Sequence, residues 1–176
     1  TTAEIQEILI KSASDLIDLE NPNYQFVAAR LLLFSVRKSL YGRCRDIPSL
    51  EDHIIKCVGQ EVYDAEIYDK YSKEDIEKAN GYIDHDRDFM FTYAGLRQVV
   101  DKYLVQDRST GQVYETPQFM YMMIALTIFA NYPKEKRLNY VRRYYDAISR
   151  HKLNIPTPIM AGVRTPIRQF ASCVLV

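Results

Sequence analysis

Apolar positions along this chain recur in short helical periods, separated by prolines, glycines and small polar residues. Ile5, Leu9, Ile10, Ala13, Leu16 and Ile17 keep the alternating three- and four-residue spacing that brings side chains to one helix face. Thr1 or Thr2 is placed to cap that helix, and Glu4 and Glu7 put negative charge near its start, where the dipole favours it. Asn21-Pro22-Asn23 breaks the pattern. A second helix follows through Phe26, Val27, Leu31, Leu32, Phe34 and Leu40, with Arg37 and Lys38 in its last turn and Gly42 as the expected C-cap.

Residues 43–48 read as a loop and a candidate domain boundary. Ser49 caps a short helix over 50–58, and Ser72 caps another, with Asp75 at its third position in a relative of the capping box. "DHDRD" at 84–88 is expected to open a longer helix through Phe91, Ala94, Leu96, Val99 and Val100. Two β-prone runs, Tyr103 to Gln106 and Gln112 to Glu115, flank a turn at Gly111 and predict a hairpin. Thr116-Pro117 then starts a helix that is apolar nearly all round, "QFMYMMIALTIFA", and so is expected at the centre of the core. After Asn131-Tyr132-Pro133, an amphipathic helix turns Leu138, Val141, Tyr144, Tyr145 and Ile148 inward. The pattern shows no internal repeat and no low-complexity segment.

The 176 residues suffice for a real core, and the 47% apolar and 26% charged fractions are those of an ordinary globular protein. Net charge is zero, which argues against a dedicated nucleic-acid binder and against electrostatic recruitment to an acidic membrane. Fourteen tyrosines stand against no tryptophan, so the core should hold several polar tethers for phenol hydroxyls. The N-terminal stretch is acidic and amphipathic, unlike a signal peptide, and no apolar run reaches the roughly 20 residues that span a bilayer. Three cysteines, Cys44, Cys57 and Cys173, fit neither a zinc site nor a disulfide framework. A reducing compartment, the cytoplasm, is the expectation.

Cys173 reads either as a redox or nucleophilic thiol or as a small buried hydrophobe. The approach to it, "PTPIMAGVRTPIRQF", is expected to be irregular. Thr157, Thr165 and Ser172 offer hydroxyls to a ligand there, and Arg164 and Arg168 suit phosphate or carboxylate. The alternative is a connector whose arginines cap helix C-termini. His85, Asp86 and Asp88 share no common face, so N-capping and a local salt bridge explain them better than a metal, and no metal site is expected. Lys38 and Arg37 near one helix end, with Thr2 at another helix start, suit an anion, although a lysine in a last helical turn also answers the dipole.

The stretch "IPTPIMAGVRTPIRQFASCVLV" at 155–176 resembles, without gaps, a motif of the large catalytic subunit of class I ribonucleotide reductase. "YQFVAARLLLFSVRKSLYG" (24–42) resembles the end of that family's ATP-cone. "IDHDRDFMFTYAG" (83–95), "KYLVQDRSTGQVYETPQFMYM" (102–122) and "RLNYVRRYYDAIS" (137–149) resemble the helical domain after it. The resemblance covers essentially the whole chain and is nearest the enterobacterial and T4-like phage branch.

It implies a mainly α fold with a small β-hairpin: 1–45 the C-terminal part of an ATP-cone, 46–170 the helical N-terminal domain, and 171–176 the first strand of a truncated ten-stranded α/β barrel. It implies reduction of ribonucleoside diphosphates by radical chemistry. Cys173 falls on the first of a redox cysteine pair, Thr157 on a substrate-diphosphate contact, Ser172 on a neighbouring substrate-site position, and Thr2 and Lys38 on two triphosphate-side contacts for an ATP or dATP effector. The implied partners are the remainder of the large subunit, a radical-generating small subunit that holds a diiron-type cofactor, and a thioredoxin- or glutaredoxin-type reductant. The sequence departs from the family in lacking much of the cone and in carrying Ser35 where a histidine is expected. Cys44 and Cys57 match no family role and read as structural. The expectation is a piece of such a subunit, inactive alone. The alternative is a non-enzymatic helical docking module derived from a split or truncated gene.

Overall fold

The computed structural model describes residues 1–167 and Phe170. Among them the chain is mainly helical and divides into two compact units, one of Thr1–Ile47 with His85–Lys102, the other of Pro48–Asp84 with the described residues from Tyr103 onward.

In the first unit, α1 (Thr2–Asp15) is capped by Thr1, whose hydroxyl accepts from Glu4 N at 3.3 Å while the Glu4 carboxylate reaches back to the Thr1 backbone nitrogen. This reciprocal bonding satisfies donors that the first helical turn leaves open. Helix α2 (Tyr24–Tyr41) ends on Gly42 at φ 77°, where a Cβ would be strained, and the Gly42 N–H donates to the Lys38 carbonyl at 2.9 Å. The core gathers Ile10 and Ala13 of α1 with Ala28, Ala29, Leu32, Leu33 and Val36 of α2. The apolar face expected of α1 is only partly used: Ile5, Leu9, Leu16 and Ile17 remain exposed, as does Ile8. Within the unit α1 packs chiefly on α2, and one neighbouring helix covers only a narrow stripe.

The long helix expected from residue 84 is broken. His85–Met90 winds as a tight 3₁₀ turn, and helix α6 (Tyr93–Gln98) starts afresh on Thr92, whose hydroxyl accepts from Gly95 N at 3.3 Å. A five-residue π turn, Val99–Tyr103, continues it. Short polar side chains that bond nearby backbone restart a helix in this way. Arg37, considered beside Lys38 for an anion at the end of α2, is buried instead, donating to Asp88 Oδ2 at 3.0 Å and the His85 carbonyl at 2.8 Å. The polar cluster at 85–88 therefore serves an internal ion pair, and no group of ligands suited to a metal occurs among the described residues.

In the second unit, α3 (Leu50–Gly59) and α5 (Lys73–Asn80) are capped by Ser49 and Ser72, as expected, and pack together. The short α4 (Ile67–Lys70) lies between them in sequence. Helix α7 (Pro117–Phe129) is buried from Pro117 to Leu126, the central position its unbroken apolar run predicts. Helix α8 (Lys134–Ser149) packs against it through Val141, Tyr145 and Ile148. The phenols find partners: Tyr71 donates to the Leu126 carbonyl at 2.7 Å, and the Tyr145 hydroxyl donates to Gln118 and accepts from Asp84 N.

Two expectations are corrected here. The hairpin is a chain reversal with one isolated bridge, Gln106 to Val113, and no ladder. A further rung needs Val105 N–H to donate to the Tyr114 carbonyl. That N–H instead goes to Glu115 Oε1 at 2.6 Å, and the carbonyl faces the Cys57 thiol at 3.8 Å. The stretch expected to be irregular contains a short helix, α9 (Thr157–Gly162). Pro158 lies in its first turn, where a missing N–H costs nothing. The expected barrel strand 171–176 lies outside the described residues, as do Arg168, Ser172 and Cys173. No described helix is long and apolar enough to cross a membrane.

Candidate functional site

Of the residues singled out for substrate chemistry, Thr157 is described, and it opens α9 with its side chain exposed. Its hydroxyl lies 3.5 Å from that of Tyr103. Thr165, expected to offer a free hydroxyl, donates to the Gly162 carbonyl at 2.9 Å and so closes the end of α9.

Arg164 resolves the choice between ligand and connector. It is 1% exposed, and its guanidinium grips both Glu115 oxygens, with Nε 2.9 Å from Oε2 and 3.1 Å from Oε1. Nη2 also donates to the Tyr103 carbonyl at 2.8 Å, and Nη1 donates to the Met160 carbonyl of α9. The planar fork of arginine suits such a bidentate, multi-point contact. Burial works against the charge of Arg164, but the Glu115 carboxylate more than offsets it and raises the pKa further. Arg164 thus binds no external anion here and holds protein groups on three sides.

Glu115 carries the network inward. Its Oε2 accepts from the Tyr63 hydroxyl. The Tyr63 hydroxyl also lies 3.0 Å from His53 Nε2, so the network runs on to the imidazole. The His53 ring stacks on Phe119 with centroids 4.1 Å apart and planes at 10°. Burial, and then the Glu115 charge, push the Tyr63 hydroxyl well above its ordinary pKa. The Cys57 thiol beside them is pushed up to about 12 by burial first and by Glu115 second. This is an inert thiol, which suits the structural reading of Cys57. Beside the network an apolar groove runs along Leu104, Gln106, Ala161, Thr165 and Ile167.

Sequence reasoning named Arg164 but missed Glu115, Tyr63, His53 and Tyr103. Glu115 did leave one signal, an acid immediately before the Thr-Pro start of the most apolar helix. An acid there is buried with that helix and needs a buried cation.

In the first unit, Thr2 is the first residue of α1 and Lys38 lies in the last turn of α2, both exposed. The two helices pack together across a short connection and are therefore antiparallel, so both residues fall at one end of the pair. Cys44 is half-buried, its thiol 3.5 Å from the Phe34 carbonyl.

Residues 89–168 match the family described as ribonucleotide reductase, all-alpha domain. The chain is 51% identical over 175 residues to the ribonucleoside-diphosphate reductase subunit alpha of Haemophilus influenzae, covering 99% of this chain and 23% of that protein. It is 50% identical to the ribonucleoside-diphosphate reductase 1 subunit alpha of Escherichia coli, with the same coverage. With the subunit alpha of Enterobacteria phage T4 it is 49% identical over 100% of this chain and 23% of the other. The chain therefore spans about a quarter of the length of these relatives. Residues 89–168 are thus similar to the ribonucleotide reductase all-alpha domain, and essentially the whole chain is similar to a stretch of ribonucleoside-diphosphate reductase alpha subunits.

Proposed function

We propose that this chain is part of the catalytic subunit of a ribonucleotide reductase that converts ribonucleoside diphosphates to their deoxy forms. The observation that carries this reading is identity near one half along essentially the whole chain to proteins named as ribonucleoside-diphosphate reductase alpha subunits. The ungapped 155–176 motif, with its threonine, serine and cysteine, supports it.

In this reading 1–45 is the C-terminal part of an ATP-cone, 46–170 the helical N-terminal domain and 171–176 the first strand of the ten-stranded catalytic barrel. Thr157 contacts the substrate diphosphate, Ser172 lies at the substrate, and Cys173 is one of two redox thiols. The substrate loses its 2′-hydroxyl as water and gains hydrogen at that carbon. The two thiols supply the electron pair and become a disulfide, which a thioredoxin- or glutaredoxin-type reductant returns to thiols. The radical that starts the reaction comes from a small subunit with a diiron-type cofactor. Thr2 and Lys38 contribute two contacts to an ATP or dATP effector, and not a complete pocket. The setting is the cytoplasm.

The test is turnover of the full-length subunit that carries this chain, together with its small subunit, on a ribonucleoside diphosphate. Deoxynucleotide should form, and Cys173→Ser should abolish it. Undiminished turnover in Cys173→Ser would sink the role given to that cysteine and favour a docking module in its place.

A further inference from the structure

We infer that Arg164 and Glu115 are positioning residues for the Thr157 hydroxyl, acting through Tyr103, and that they thereby set affinity for the diphosphate of the substrate. This rests on the reading of Thr157 as a diphosphate contact.

The geometry is a clamp on two strands of chain. Arg164 Nη1 donates to the carbonyl of Met160, one turn along α9 from Thr157. Its Nη2 donates to the carbonyl of Tyr103 at 2.8 Å. Glu115 accepts from Val105 N at 2.6 Å, two residues beyond Tyr103. The backbone is thus held at Tyr103 by the arginine and at Val105 by its carboxylate partner. The Tyr103 hydroxyl then stands 3.5 Å from the Thr157 hydroxyl. A six-residue helix has little stability of its own, so the direction of Thr157 depends on what grips α9 from outside.

Stability alone is a poor account of this pair. A buried ion pair loses in desolvation roughly what it gains by attraction, and apolar residues of the same volume often do as well. What an arginine adds is geometry: donors in a rigid plane that fix three acceptors at once. Support of this kind is what a ligand-contacting side chain needs to stay within a fraction of an ångström of its working position.

The experiment is steady-state kinetics of the full-length subunit with its small subunit, varying the ribonucleoside diphosphate. Thr157→Ala should raise KM about tenfold, the worth of one hydrogen bond to a charged group. Arg164→Lys, which keeps the charge but not the fork, and Tyr103→Phe, which leaves the buried pair untouched, should each raise KM threefold or more with kcat within about twofold. Combined with Thr157→Ala, neither should raise KM further, because both act through the same contact. A purely structural role would lower the amount of active enzyme and leave KM unchanged. If Thr157→Ala raises KM but Tyr103→Phe and Arg164→Lys do not, the clamp is overturned and the proposed function stands. If Arg164→Lys does not fold, Tyr103→Phe alone decides. If Thr157→Ala itself leaves KM unchanged, the diphosphate role of Thr157 falls, and the clamp with it.

Discussion

Glu115 and Arg164 face one another with no solvent exposure of either side chain, across 49 residues of sequence. The pair joins α9 to the segment ahead of α7 and to the turn at Tyr103.

Removing one partner should therefore be costly. Glu115→Leu leaves a buried guanidinium without its carboxylate and is expected to lower unfolding free energy by about 3–5 kcal/mol in urea titration. Glu115→Leu with Arg164→Met should recover part of that loss: neither charge then remains buried, but the Tyr63 hydroxyl, Val105 N and the Tyr103 carbonyl lose the partner the pair gave them. A double variant as unstable as the single one would show that the pair contributes stability in its own right.

Alkaline pH should destabilise the second unit through its buried acids. The folded state keeps the Cys57 proton up to about 12, whereas the unfolded chain releases it near 9.0. Between those values the unfolded state binds fewer protons, so stability falls as pH rises, and below them Cys57 contributes no pH dependence. The buried Tyr63 and Tyr71 hydroxyls, also pushed up, act in the same direction. Denaturant midpoints from pH 7 to 11 check this, and Cys57→Ala should flatten part of the decline.

Thiol labelling separates the two described cysteines. In a Cys173→Ser background at pH 8, about one Cys57 in ten thousand is thiolate, and its side chain is buried. Half-buried Cys44 should react with an aromatic disulfide reagent in the native chain, and Cys57 only on unfolding. Prompt reaction of two thiols would contradict the buried setting of Cys57.

Tyr145→Phe tests a different tether. It leaves Gln118 Oε1 and Asp84 N without the shared hydroxyl, and should cost about 1–3 kcal/mol by thermal or chemical melting.

The exposed face of α1 predicts the opposite outcome. Ile5→Lys and Ile8→Lys should change stability by no more than about 0.5 kcal/mol, since both side chains already meet solvent. The same changes should reduce self-association in light scattering, because they break up an apolar surface.

What the sequence by itself determined was local. Ser49 and Ser72 cap the helices they precede, Gly42 closes α2, Pro117 starts α7, and the unbroken apolar run of α7 makes it the buried centre. Each of these signals acts over one or two turns, where a side chain meets its own backbone, so it can be read without knowing the fold. The 155–176 motif likewise marked Thr157 as a candidate. Tertiary structure decided what distant residues do to one another. The Val105 N–H went to a Glu115 carboxylate and not to a ladder, so the expected hairpin became a single bridge. Arg37 turned inward to Asp88, 51 residues away. Arg164, which suits a phosphate on paper, took the nearest buried carboxylate, because a charge removed from water must find its counterion inside the protein. Which counterion that is depends on where helices meet, and no spacing along the chain records it.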